Sequence, residues 1–277
     1  MRQRHIERTH DNGALSTHRA ASVGQLLDWD DQLMAAKRKS PYIKHGQDTS
    51  RVQMLDYYKY FLTRFGAFLS PRAVYGLNAS TNYLEVGRWM RAKGYDTRRR
   101  FSRREELFDL VGKQVGNREV LYLEFGVFQG AATRYWSKLL INPNSKLHGF
   151  DSFEGLPEDW LPHRNKGHFA ADGAIPQISD SRIRFFKGWF DEILPNYKCP
   201  PHEVLVINID ADLYSSTISV LKALRVNIVP GTYIYFDEFN HRDHELRAFE
   251  EFISETGMTF SLLGATHTLE HVVFRRI

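Results

Sequence analysis

Cysteine is almost absent: Cys199 is the single thiol among 277 residues. No internal disulfide can form, so a cross-linked secreted scaffold is excluded and a cytoplasmic location is expected. Cys199 stands beside Pro200 and Pro201 and reads as a loop residue rather than a nucleophile. No window approaches the ~20 apolar residues of a membrane span. The opening Met1-Arg2-Gln3-Arg4-His5 lacks the apolar core of a secretory signal, and no membrane partner is expected. The chain carries no G-x-G-x-x-G dinucleotide fingerprint, no internal repeat and no low-complexity tract.

The excess of positive charge is small, +4, with a pI near 9.0. Much of it is local, in Arg98, Arg99, Arg100, Arg103 and Arg104 and in residues 1–20. A basic cluster can bind nucleic acid, but no aromatic-interleaved platform accompanies this one. It reads as a solvated helix edge or a contact with an acidic partner subunit.

The chain falls into two parts. Residues 1–100 read as a polar arm followed by a helical extension, with the first twenty expected to be mobile. Apolar residues recur at helical spacing from Arg51 to Leu69, and Pro71 is expected to stop that helix. Further helices are expected over Thr81–Lys93 and Arg104–Val115. Residues 101–277 alternate strands and helices. Strands are expected at 120–126, 146–151, 183–188, 203–210 and 232–237. Helices are expected at about 130–141, 191–197, 215–228 and 243–256, the third capped by Ser215-Ser216-Thr217. Two closing strands, near 258–263 and 270–276, are spaced to pair antiparallel. Residues 154–181 form a long irregular insertion, a feature that usually carries function.

What stands out is where the acids lie. Glu124, Asp151, Asp210 with Asp212, and Asp237 with Glu238 each follow a short apolar run. Runs of this kind read as buried parallel strands, and ligands of open α/β sheets bind beyond the strand C-termini. Four strands thus aim carboxylates at one crevice, which is costly unless hydroxyls, cations or metal ions meet them. Glu124-Phe125-Gly126-Val127-Phe128-Gln129-Gly130 is a strand end, a turn and a helix start. Gly126 and Gly130 there allow close backbone approach to a ligand. An acid at the next strand end, Asp151, suits ribose hydroxyls. An adenosyl ligand without a phosphate cradle favours S-adenosylmethionine over NAD. The paired acids at 210, 212, 237 and 238 suit a hard divalent cation.

Three ordered motifs resemble the macrocin-type (TylF-like) O-methyltransferases. They are Gly149-Phe150-Asp151-Ser152-Phe153-Glu154-Gly155-Leu156-Pro157-Glu158, then Lys187-Gly188-Trp189-Phe190 with Leu194-Pro195. The third is Ile209-Asp210-Ala211-Asp212-Leu213-Tyr214-Ser215-Ser216-Thr217. The resemblance implies a Rossmann-like class I methyltransferase fold, mainly parallel with a C-terminal antiparallel strand pair, behind an N-terminal helical extension. It implies S-adenosylmethionine, Mg²⁺ or another divalent cation, and a sugar hydroxyl acceptor on a glycoside natural product or glycan. By position, Glu124, Gly126, Gly130, Asp151 and Ser152 would hold the cofactor, with Gly188 and Trp189 flanking adenine. Asp210, Asp237 and Glu238 would be metal ligands and Asp212 the general base. His168, in the insertion, is a further catalytic candidate. The family usually has paired aspartates where Asp237-Glu238 stand, and Gly where Ala211 stands.

Rival readings are a phenol, amine or nucleic-acid acceptor, or a fold-sharing binding protein without activity. The Asn/Asp-Pro-Pro-Tyr/Phe motif of many nucleic-acid methyltransferases is missing, which argues against nucleic acid. The clustered acids argue against a pure scaffold. A homo-oligomer is expected.

Overall fold

Residues 49–161 and 164–277 are described by the computed structural model. The mobility expected of residues 1–20, and the polar arm to residue 48, lie outside them. The chain divides into two compact units, Met1–Leu69 and Ser70–Ile277. In the first, α1 (Thr49–Gly66) is the described helix. The second opens with α2 (Pro71–Ala92). Pro71 does not merely stop α1. It takes the first turn of α2, where a missing N–H costs nothing, and Ser70 caps that turn by accepting from Ala73 N at 3.2 Å. Helix α2 is therefore ten residues longer at its start than its apolar spacing suggests, and it buries Val86, Trp89 and Met90.

The rest follows the expected alternation: β1 (Arg100–Phe101), α3 (Arg104–Val115), β2 (Val120–Phe125), α4 (Ala131–Leu139), β3 (Lys146–Asp151), β4 (Ile183–Lys187) and α5 (Phe190–Ile193). Then come β5 (Val204–Ile209), α6 (Tyr214–Ala223), β6 (Tyr233–Phe236), α7 (Glu245–Thr256), β7 (Phe260–Thr266) and β8 (Val272–Arg276). The sheet order is β1-β7-β8-β6-β5-β2-β3-β4. Strand β8 runs antiparallel to both β6 and β7; the other pairs are parallel. This is the expected Rossmann-like α/β sheet with its closing antiparallel pair. The two-residue β1, which extends the edge beside β7, has too little sequence to show a period.

Strand alternation sorts the core into two layers. Leu121, Leu123 and Phe125 of β2 face the layer of α2, α6 and α7, with Trp89, Val220 and Phe249. Val120 and Tyr122 face the layer of α3 and α4, with Phe108 and Trp136. Burying both faces explains why the strands read as continuous apolar runs. Helix α6 buries Val220 and Leu221 as expected but ends at Ala223, short of the expected 228; Leu224 and Ile228 are buried just beyond it. Its cap differs: Leu213 holds the N-cap position without a side-chain bond. Tyr214 N instead donates to His244 Nδ1 at 3.3 Å, and Ser215 Oγ donates to Glu158 at 2.7 Å.

The chain winds outward from β2 through β3 to β4, then returns to β5 on the other side of β2. That reversal is the switch point at which such sheets bind ligands. Among the described residues, no helix is long and apolar enough to cross a membrane.

Candidate active site

A cavity of about 720 Å³ opens at the switch point, within the roughly 300–1,000 Å³ of typical small-molecule sites. Parallel register brings the strand ends level. Asp210 N donates to Phe125 O at 2.8 Å, Gly126 N to Phe150 O at 3.0 Å and Asp237 N to Ile209 O at 3.0 Å. The acids in the last residues of β2 and β3 and just past β5 and β6 therefore converge. Glu124, Gly126, Asp151, Ser152, Gly188, Trp189, Asp210, Asp212, Asp237 and Glu238 all line the cavity. Gly130 and His168 do not.

The turn after β2 is held from below. Asp151 Oδ2 accepts from Val127 N at 2.7 Å and Phe128 N at 2.8 Å, and Oδ1 accepts from Phe153 N at 2.7 Å. Its carboxylate is thus a clamp on two loops before it meets any ligand. Phe128 and Phe153, which it holds, both have positive φ, a costly conformation for bulky residues. Gly126 has φ +89, and a Cβ there would lie 1.8 Å from Asp210 O. What approaches Gly126 closely is therefore the β5 backbone, in addition to any ligand. Gly130 is the left-handed N-cap of α4, and its missing Cβ makes room for Pro176 and Ile178 of the insertion. Glu124 is fully buried; Tyr122 and Thr133 donate to its Oε2 at 2.9 and 2.8 Å. Burial pushes its carboxyl up to about 7, against those two bonds.

The remaining acids have unequal surroundings. Asp237 Oδ1 accepts from Tyr235 OH at 2.6 Å and Arg104 Nη1 at 3.2 Å, with His271 Nδ1 3.1 Å away. Burial would raise Asp237, but His271, Arg104 and Tyr235 outweigh it and hold the carboxyl below its usual range. Arg104 Nη1 also lies 3.5 Å from Asp210 Oδ2. Asp210 is nevertheless driven well above the ordinary value by burial and by the charges of Asp237 and Asp212. Asp212 rises to about 7 through burial and Asp237, eased by Arg164. Glu238 rises to about 8 through burial, Asp212 and Asp237. Asp212 also has φ +59, an uncommon and strained conformation for a residue other than glycine. Glu238 is positioned by its own N–H, which donates to Glu245 Oε2 at 2.9 Å.

The expected metal ligands Asp210, Asp237 and Glu238 meet at the cavity, but the charge beside them is a side chain's. Among the described residues, no three His, Cys, Asp or Glu side chains form a group that could hold a metal ion. Asp210 and Asp237 share the Arg104 guanidinium, so the positive charge they require comes from a side chain. In this arrangement Asp210, Asp237 and Glu238 do not fit a divalent-ion site. Arg104 also departs from the solvated-edge reading of the arginine cluster, which does describe exposed Arg98 paired with Asp96. Glu106 Oε2 accepts from Ser102 N and Arg103 N, both at 2.9 Å, and fixes the turn that presents Arg104. One signal was available: a cation in the first turn of a helix opposes the helix dipole, so it needs a partner elsewhere.

His168 requires correction. Its side chain is exposed, its ring packs edge-on to Phe169 at 4.3 Å, and its carbonyl accepts from Leu156 N. The insertion supplies Arg164 instead, stacked 4.6 Å from the Trp160 ring and lining the cavity. Gly155, Leu156, Pro157 and Phe169 complete that wall.

Comparison with known proteins gives three similar proteins and a family. An 8-demethyl-8-(2,3-dimethoxy-alpha-L-rhamnosyl)-tetracenomycin-C 4'-O-methyltransferase of Streptomyces olivaceus is 28% identical over 142 residues, 42% of this chain and 52% of its own. A demethyldecarbamoylnovobiocin O-methyltransferase of Streptomyces niveus is 35% identical over 106 residues, 32% of this chain and 40% of its own. The chain thus spans about half the length of the curated relatives it matches. A crystal structure of CalS11, a calicheamicin methyltransferase, aligns over 97% of this chain and 99% of its own at 19% identity and TM-score 0.49. The family model of macrocin O-methyltransferase (TylF) matches residues 97–272, well over half of the 277, and the chain belongs to that family.

Proposed function

We propose that this protein transfers a methyl group from S-adenosylmethionine to a sugar hydroxyl of a glycoside natural product. The observation that carries the reading is Asp212. It is a strained, nearly buried carboxylate at the switch point, beside a cavity without a phosphate cradle, with its ionisation raised to about 7. Both curated relatives are named as O-methyltransferases of natural products, one of them on a rhamnosyl compound.

The cavity suits the cofactor. Glu124, Ser152 and Trp189 offer a carboxylate, a hydroxyl and an aromatic ring along one wall, and the Asp151 clamp fixes the turn beneath them. Bound S-adenosylmethionine supplies a methyl group activated by its sulfonium charge. Everything else falls to the chain. Asp212 accepts the proton of the attacking hydroxyl, its raised pKa making it a better base near neutrality. Arg104 offsets the charge of Asp210 and Asp237, so that one more carboxylate can ionise nearby. Arg164 approaches Asp212 and Glu238 from the insertion and lowers both. Holding oxygen, carbon and sulfur in line is the larger part of catalysis here. No step is assigned to a divalent ion, because Arg104 takes the cation position between the expected ligands.

The test is a methyl-transfer screen with labelled S-adenosylmethionine and rhamnosyl glycosides, run on the wild type and on Asp212→Asn. Label should appear on a sugar hydroxyl with the wild type and not with the variant. S-adenosylmethionine that fails to bind would end the reading.

A further inference from the structure

A second cavity, of about 430 Å³, adjoins the first through two shared wall residues, Arg164 and Glu238. Its long wall is one face of α2: Tyr75, Asn78, Asn82 and Tyr83 recur at helical spacing. Trp160 faces them from the insertion, and Asn240 and His241 from the segment after β6. Nothing in the methyl transfer uses these residues.

The lining is polar where a structural core would be apolar. Asn82 is 6% exposed and Trp160 is 9% exposed. Asn82 Oδ1, Trp160 Nε1 and His241 Nδ1 are all shielded from solvent and have no hydrogen-bond partner among the described residues. The polar side chains that line the cavity, among them Asn78, Asn82, Asn240 and Glu270, suit a ligand's polar groups. A hydroxyl suits them, since it donates one hydrogen bond and accepts two. Glu270 and Glu238, the latter raised to about 8 by burial and its acidic neighbours, set two acidic side chains against the single positive charge of Arg164, which favours a neutral occupant over a phosphate-bearing one. A flat aromatic occupant fits poorly too. The Trp160 ring already stacks against Arg164 at 4.6 Å, so one of its faces is taken.

We propose that the second cavity is an extended acceptor subsite, which seats a second hydroxylated ring adjoining the sugar that is methylated. This rests on the function proposed above. Glu238, at the junction, then contacts the acceptor rather than a metal ion. Asn78 and Asn82 select for the second ring, so specificity for the glycoside resides partly in α2, away from the strand-end acids.

The experiment is saturation-transfer NMR titration of the protein saturated with S-adenosylhomocysteine. The probes are methyl α-L-rhamnopyranoside, the methyl glycoside of a rhamnosyl-rhamnose disaccharide, and phenyl α-L-rhamnopyranoside. The disaccharide should bind about tenfold tighter than the monosaccharide, the scale of one or two well-made hydrogen bonds. That advantage should vanish in Asn82→Leu and shrink in Asn78→Leu, a change at an exposed position that tolerates substitution. S-adenosylhomocysteine affinity should be unchanged in both. Equal binding of the mono- and disaccharide, or an advantage that survives both variants, overturns the proposal. A phenyl glycoside that gains as much, and keeps its gain in Asn82→Leu, overturns it in favour of an apolar aglycone pocket. Wild type that binds no S-adenosylhomocysteine refutes the proposed function itself, and this subsite with it.

Discussion

Replacing Asp151 should damage the protein before it damages cofactor binding. An acid at this strand end is usually discussed as a ribose ligand, and a ribose ligand can be removed with little effect on the empty protein. Here the carboxylate already accepts from the amides of Val127, Phe128 and Phe153 at 2.7, 2.8 and 2.7 Å. Each such bond to a charged group contributes about 1.5–3 kcal/mol. In Asp151→Asn one oxygen becomes an NH₂, which cannot accept. The amide keeps its oxygen on the Val127–Phe128 side, where it serves two donors, and Phe153 N loses its partner. The expected cost is one bond, about 1.5–3 kcal/mol, or a fall in Tm of roughly 3–12 °C at the usual 2–4 °C per kcal/mol. Asp151→Ala removes all three bonds and should fall at least twice as far. Phe128 and Phe153 sit at positive φ and have an incentive to relax once released, so the turn beneath the cofactor should loosen in both variants. Thermal melts of the ligand-free protein, followed by calorimetry with S-adenosylhomocysteine, check the reasoning. If Asp151→Asn melts like wild type and loses only cofactor affinity, Asp151 is a ribose ligand and not a clamp.

Other expectations are shorter. Asp212→Asn should lower turnover by ~10²–10⁴-fold with cofactor affinity intact in calorimetry; a parallel loss of affinity would make it a binding residue. Turnover should rise with pH through about 7, where Asp212 ionises, and a rate independent of pH from 5.5 to 8.5 would deny it the role of base. Arg104→Gln frees Asp210 and Asp237 from their shared cation, so Mg²⁺ should bind the variant about tenfold tighter than wild type or more; equal titrations would show that Arg104 does not hold the cation position. Glu124 is raised to about 7 in the folded chain from an ordinary 4.5, so the ligand-free protein should lose stability as pH climbs from 4.5 through 7. Its share of the loss is about 3 kcal/mol, read by urea unfolding; Asp212 and Glu238, raised likewise, add slopes of the same sign, so Glu124→Gln should make the fall shallower by about that amount without removing it.

Much of the sheet is legible in the chain because both of its faces are covered. Val204–Ile209 is buried at every position, and a run with no polar interruption gives itself away. The same holds for Val120–Phe125. Helix α3 is expected over Arg104–Val115 and observed there, since Leu107, Phe108 and Val111 mark one face. Helix α2 shows the limit. Its first half carries Tyr75, Asn78 and Asn82 along a polar cavity wall, so no apolar stripe announces it, and Pro71 is read as an ending rather than a beginning.

The strand-end acids were visible because strand ends are visible: each apolar run stops at a carboxylate. What neutralises those carboxylates was not, because their partners come from other elements. Arg104 belongs to α3 and Arg164 to the insertion, and no spacing in the chain ties either to position 210, 212 or 237. Hard oxygen ligands on neighbouring strands point to a metal when read alone. The same oxygens beside a guanidinium make an ion-paired cluster, in which Asp237 is held ionised while Asp212 and Glu238 are driven toward neutral pH. Pushing neighbouring acids apart in this way fits the function proposed above, in which Asp237 anchors and Asp212 takes the proton. The motif supplied the acids; their division of labour is set by Arg104, Tyr235 and His271, which no motif contains.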